Sequence, residues 1–160
     1  MKKPIFAALL AAQLLTVATP ALAVEENNVS NGLTAAGAPL GLHGVDPVAF
    51  ITLGNRIDGA AKFTAVHDGV AYYFTSQENL DAFRANPGRF TPQNGGYCTF
   101  GVSVGKKFDG DPRYAAVVDG KLYVFLNEDI LKAFQKDQAG TIKKAATNWK
   151  SIRSVAAADL

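Results

Sequence analysis

The strongest constraint in this sequence is that it contains itself. Shifted by 51 residues, "GVDPVAFITLGNRIDGAAKFTAVHDGVAYYFTSQENLDAF" (Gly44 to Phe83) lies over "GGYCTFGVSVGKKFDGDPRYAAVVDGKLYVFLNEDILKAF" (Gly95 to Phe134) without a gap. Gly54 pairs with Gly105, Asp58-Gly59 with Asp109-Gly110, Asp68-Gly69 with Asp119-Gly120, Tyr72 with Tyr123 and Phe74 with Phe125. Leu80-x-Ala82-Phe83 pairs with Leu131-x-Ala133-Phe134. Chance similarity does not preserve turns, strand faces and helix faces together, so the pattern reads as duplication of one supersecondary unit.

Each unit predicts the same order of elements. An apolar strand (Val48 to Leu53; Thr99 to Val104) ends at a glycine turn, and a second strand (Lys62 to His67; Arg113 to Val118) runs into Asp-Gly. A third (Val70 to Phe74; Lys121 to Leu126) returns as a hairpin, because Asp-Gly supplies the positive φ angles of a two-residue primed turn. A short helix follows, capped by Thr75 with Glu78 in one unit and by Asn127 with Glu128 and Asp129 in the other. Asn86-Pro87-Gly88 and Gly140 are its expected stops. One hairpin with one helix buries too little to stand alone, so the units are expected to pack through their Tyr, Phe and Leu faces about a pseudo-two-fold axis. The fold class expected is α+β, two duplicated β-hairpin-plus-helix units in one domain spanning 42–152, with repeat units at about 44–90 and 95–140. A C-terminal helix at 141–152 and a tail at 153–160 complete it. Within that helix Trp149 is expected to lock onto the core, with stacking on a ligand as its alternative.

The N-terminal region obeys different rules. Lys2 and Lys3, the apolar run Ile5 to Val17 and Ala21-Leu22-Ala23 form a leader pattern, which predicts a signal peptide over 1–23 and a periplasmic or secreted mature protein. The run falls short of the roughly 20 apolar residues that span a membrane, and no other segment approaches that length. Residues 24–41, small, polar and glycine-rich, are expected to form a flexible arm. Without Lys2 and Lys3 the sixteen basic residues fall to fourteen, equal to the fourteen acids, so no basic excess points to nucleic acid.

The candidate chemistry centres on Cys98, the only cysteine. One thiol cannot form an intrachain disulfide, so it packs, reacts or binds. Gly95 and Gly96 beside it would let the backbone approach a ligand, Tyr97 can supply a hydroxyl, and the gapless repeat puts Pro47 opposite Cys98. Asp46 could orient or charge the same site. A copper or zinc ion held by Cys98 with His43, Asp46 or His67 is chemically sensible. Reactivity would require a lowered thiol pKa, and Lys106, Lys107 and Arg56 fall at the far ends of the neighbouring strands. No nucleophile elbow, zinc-protease helix or phosphate loop occurs, and Asp109 and Asp111 read as turn residues.

The run "DGVAYYFTSQENLDAFRANPGRF" (Asp68 to Phe90) resembles the core of the YHS domain. "GVDPVAF", "GGYCTFGVS", "DGKLYVF" and "NW" resemble its exported two-copy branch, over about residues 42–152. The resemblance implies a metal-handling protein. Members of the family are thought to bind metal through a Phe-Cys-x-x-x-Cys motif, at whose cysteine positions this sequence has Thr75 and Asn79, and Leu126 and Ile130 in the second unit. Some members of the branch place selenocysteine at the position matching Cys98, which implies a chemical role there. The function expected is a periplasmic binding protein taking a metal ion or a small thiol-reactive ligand through the Cys98 loop. The alternatives are a thiol-dependent oxidoreductase with Cys98 as nucleophile and a non-catalytic module with a protein partner.

Overall fold

A computed structural model describes residues 25–160. The signal-peptide reading of 1–23 lies outside the described residues. The protein is α+β, with six helices and two separate two-stranded antiparallel sheets among the described residues. Helix α1 (Pro47–Leu53) precedes the hairpin β1 (Ala60–His67) and β2 (Val70–Phe74), then α2 (Gln77–Ala85) and the single turn α3 (Pro87–Phe90). The second unit follows as α4 (Thr99–Ser103), β3 (Asp111–Val118), β4 (Lys121–Phe125) and α5 (Glu128–Lys136), with α6 (Gln138–Ile152) after it.

From the first hairpin onward the two units match at an offset of 51. The β1–β2 register, Thr64 opposite Tyr73 through His67 opposite Val70, recurs as Ala115 opposite Val124 through Val118 opposite Lys121, and both hairpins carry the same irregularity one turn earlier. Asp68 and Gly69, like Asp119 and Gly120, take the positive φ angles that a primed turn needs. Gly59 and Gly110 serve another purpose. A Cβ on Gly59 would run into the Tyr73 backbone, and one on Gly110 into the Gly96 carbonyl and Val124.

Several expected elements differ. The segments Val48 to Leu53 and Thr99 to Val104, predicted as strands, are the helices α1 and α4. In α1 the β-branched run is overruled by its ends: Asp46 caps the first turn, Pro47 stands at the first helical position, and Gly54 closes the helix in the left-handed region. The cap of α2 is Ser76, whose Oγ accepts from the Asn79 amide at 3.2 Å, and Thr75 is engaged elsewhere. Helix α5 stops at Asp137, and Gly140 lies inside the first turn of α6, where Asp137 caps it.

The packing is also less symmetric than expected. Leu80 and Phe83 stay in their own unit's core with Tyr72, Phe74 and Phe90, and Phe134 packs with Tyr123, Phe125 and Cys98. The units join through a different cluster, in which Leu42, Val45 and Phe50 meet Leu122 and Val124. Helix α1 thus rests on β2 and β4, whereas α4 turns to β4 and above all to α6, so a two-fold exchange of contacts is not what joins them. Trp149 does lock α6 onto the core, beside Tyr97, Val102 and Ala145.

Residues 25–41, expected to form a flexible arm, are laced to both units. Glu26 donates its amide to Arg153, Asn28 to Gly95, and Gly41 to Ala71 at 2.8–2.9 Å. The fastening is Lys107, whose ammonium is fully enclosed and donates to Glu26 Oε2 (2.9 Å), Arg153 O (3.1 Å) and Val155 O (2.6 Å). It also lies 5.1 Å from the Tyr97 ring and 5.3 Å from that of Trp149. Burial alone would raise the Glu26 carboxyl; the hydrogen bond and charge of Lys107, with help from Tyr97 and the Ala157 amide, bring it below its ordinary value.

Two outcomes follow for this fastening. Lys107→Ala is expected to cost about 1–3 kcal/mol, since it strands two carbonyls and a carboxylate, and to raise amide exchange at Glu26 and Asn28. Because folding lowers the Glu26 pKa, its contribution is present at neutral pH and fades as pH falls below about 4.5. The difference in melting temperature between wild type and Lys107→Ala, measured by calorimetry across acid pH, should therefore narrow toward low pH.

Candidate functional site

The left-handed turns that precede α1 and α4 reveal a register slip. Leu42, His43 and Gly44 have φ of +49°, +50° and +80°, and their counterparts are Asn94, Gly95 and Gly96 at +56°, +60° and +78°. The offset here is 52. The hydrogen bonds agree: Asp46 N donates to Ile57 O and Cys98 N to Phe108 O, each at 2.9 Å, while Asp46 O accepts from Phe50 and Cys98 O from Val102. Helix α4 is shorter than α1, and the offset returns to 51 beyond it. Cys98 is therefore the counterpart of Asp46, and Thr99 that of Pro47, which corrects the pairing of Cys98 with Pro47 that a gapless comparison suggests.

Asp46 has no solvent exposure, and its carboxylate is saturated. Oδ1 accepts from the amides of Val48 (2.8 Å) and Ala49 (3.0 Å). Oδ2 accepts from the Thr75 amide (2.7 Å), the Thr75 hydroxyl (2.8 Å) and Asn79 Nδ2 (2.7 Å). Thr75 and Asn79, which stand where the resemblance would have cysteines, are thus engaged by an internal carboxylate.

Cys98 holds the same station in the second unit without those partners. It begins α4, is 1 % exposed, and sits among Tyr123, Phe125 and Phe134. Burial pushes the thiol pKa up and the nearby Asp109 charge adds to this; the amides of Gly101, Leu126 and Phe100, which face the sulfur, offset it only in part. Those three amides correspond to the Ala49, Thr75 and Val48 amides around Asp46. The counterparts of the Thr75 hydroxyl and the Asn79 amide are absent, replaced by Leu126 and Ile130. The structure puts a protonated, packed thiol where the first unit has a carboxylate. That is the opposite of the activation a nucleophile needs.

The other candidates disperse. His43 Nε2 lies 3.1 Å from Asp109 Oδ1, while His67 Nε2 lies 3.2 Å from Asp68 Oδ2 and sets its ring edge-on to Phe83. Among the described residues, no three His, Cys, Asp or Glu side chains are grouped so as to hold a metal ion. Tyr97 is buried, and its hydroxyl reaches the Asn27 carbonyl at 3.4 Å. Gly95 is needed for packing, since a Cβ there would press on Trp149, Asn27 and the Glu26 carbonyl. Lys107, expected at the far end of a strand, is the arm's fastening, and Arg56 pairs with Asp58.

The open space lies elsewhere. A cleft of about 360 Å³ forms between the first hairpin's turn, the loop at 91–95 and α6, lined by Glu25, His67, Tyr72, Asn94, Trp149 and Lys150 among others. Burial and the Asp68 charge raise the Tyr72 pKa, so its hydroxyl stays protonated there. Glu25 is paired with Arg153 at 2.8 Å. Of these residues, sequence reasoning marks only His67 and Trp149 as candidate ligand contacts. The rest are brought together by contacts between distant segments, and no local pattern marks them. Among the described residues no helix is long and apolar enough to cross a membrane. No family model, curated protein or solved structure matches this sequence.

Two substitutions test the two stations. Asp46→Ala should destabilise by about 3–5 kcal/mol, because it strands five buried or half-buried donors. Chemical denaturation reads this directly, and a loss below about 1 kcal/mol would show that the carboxylate is not holding these elements. For Cys98, alkylation of the native protein at neutral pH should be far slower than in denaturant, with a rate still rising beyond the ordinary thiol pKa.

Proposed function

We propose that the protein is an exported, non-catalytic binding module whose ligand is a small polar molecule held in the cleft against Trp149. The observation that carries this reading is the cleft's composition. An indole and a phenol supply apolar contact, and His67 with Asp68, Asn94 and Lys150 supply a few polar groups around a volume suited to a small ligand, roughly 300–1,000 Å³. Glu25 is already paired with Arg153, so its charge is locally offset, and Asp68 Oδ2 lies 3.2 Å from His67 Nε2. Export is supported by the basic, apolar and small-residue order of 1–23.

The likeness to exported YHS proteins supports a binding role and argues less for a thiolate metal site, because Thr75 and Asn79 are bound to Asp46. Copper or zinc held by Cys98 with His43 or His67 remains the rival, and the thiol-dependent oxidoreductase is weakened by a buried, unactivated sulfur.

Trp149 is the only tryptophan, so indole fluorescence reports from the cleft wall. A panel of free amino acids and monosaccharides, screened by ligand-observed NMR and titrated by fluorescence, is expected to yield binders. Ala146 lines the cleft, and Ala146→Phe should weaken them by about tenfold or more. Binders that survive Ala146→Phe, or a panel with none beside tight Cu(I) or Zn(II) binding abolished by Cys98→Ser in native mass spectrometry, would return the case to the thiol.

A further inference from the structure

Asn-Gly is the dipeptide in which the asparagine amide group is most open to its own backbone. Glycine has no Cβ to keep the following amide nitrogen from the asparagine Cγ. The sequence has two such pairs, Asn31-Gly32 and Asn94-Gly95, and the fold treats them in opposite ways.

Asn31 and Gly32 are both exposed, in a bend within the loop closed by the Val29–Gly41 bridge and by the Ser30 amide on the Leu40 carbonyl. A Cβ on Gly32 would meet nothing within 4 Å, and its amide makes no backbone hydrogen bond among the described residues. Neither a packed neighbour nor a backbone hydrogen bond therefore holds the Gly32 amide away from the Asn31 side chain. Asn94 is fixed at φ +56° with its Oδ1 shut off from solvent, and Gly95 is closely walled, since a Cβ there would meet the Asn27 side chain, the Trp149 ring and the Glu26 carbonyl; its own carbonyl accepts from the Asn28 amide at 2.8 Å.

We propose that Asn31 is a site of spontaneous conversion to aspartate and isoaspartate, and that the fold protects Asn94 from the same reaction. The Gly32 amide nitrogen attacks Asn31 Cγ and forms a new C–N bond. The bond from Asn31 Cγ to Nδ2 breaks, and ammonia leaves with the proton that the Gly32 nitrogen gives up. The resulting succinimide is opened by one water at either of its two carbonyls. Attack at one regenerates an ordinary backbone with an aspartate at this position; attack at the other routes the backbone through Cβ and leaves the former α-carbonyl as a carboxylate. No electrons change hands. Either product adds a negative charge to the arm, and the isoaspartyl product also lengthens the backbone of a loop whose two ends are pinned.

The test is peptide mapping by mass spectrometry of the folded mature protein, aged in mildly alkaline buffer beside a sample kept in urea. Aspartate and isoaspartate should accumulate at residue 31 in the folded sample while Asn94 keeps its amide, and both positions should convert in urea. Gly32→Ala should abolish most of the conversion at 31 in the folded and the urea sample alike; the urea sample is the control that separates the chemistry from the strain alanine brings to the folded loop at φ +84°. An intact Asn31 in the folded protein beside conversion in urea overturns the proposal, and so does native conversion of Asn94 as fast as that of Asn31.

Discussion

A buried carboxylate with five hydrogen bonds organises the first unit. Asp46 has no contact with solvent, and an ion in that position is tolerable only if its lone pairs are occupied. Two of its donors start α1, two belong to Thr75 at the end of β2, and one reaches back from Asn79 in α2. One residue therefore fixes three elements at once and sets the angle at which α1 leaves the hairpin. That angle lets Phe50 and Val45 reach Leu122 and Val124, so the joint between the units depends on it.

The second unit shows what the scaffold needs of that station and what it does not. The turn, the backbone hydrogen bonds and the three facing amides recur around Cys98, but Leu126 and Ile130 bring no polar donors of their own beyond the backbone. A carboxylate there would have less to satisfy it, and a thiol costs less to bury. The accompanying change is a shorter helix, and α4 finds its support in α6 through Val102, Ala145 and Ile152. Asymmetry at one residue is thus followed by asymmetry in packing.

Much of the architecture is legible in the sequence because it is local. Asp-Gly turns, alternating aromatics and the Leu-x-Ala-Phe helices announce both hairpins and both following helices. The segment after Asp46-Pro47 reads as a strand for a physical reason: six residues, all but Thr52 apolar, suit a buried strand, and only the cap, the proline and Gly54 tip the balance toward a helix. The one-residue slip is invisible because glycines flank it on both sides, so Gly95 or Gly96 can each stand opposite Gly44. The candidate site is legible only at its edges. Trp149 and His67 can be picked out as residue types, but the cleft arises from four segments far apart in sequence.

The arm decides how that cleft is bounded. Asn28 holds the Gly96 carbonyl and Asp109, and Lys107 ties Glu26 to the last turn of α6. The same lysine lies near Trp149, so the indole that walls the cleft is steadied by a charge whose other contacts belong to the arm and the C-terminal residues. Loosening the arm would therefore be felt at the cleft wall as well as at the two ends of the fold, although Lys107 itself is enclosed and touches no ligand. Rigidity at the cleft and order in the arm are one property, held by a buried ammonium in the second unit, as the first unit is held by a buried carboxylate.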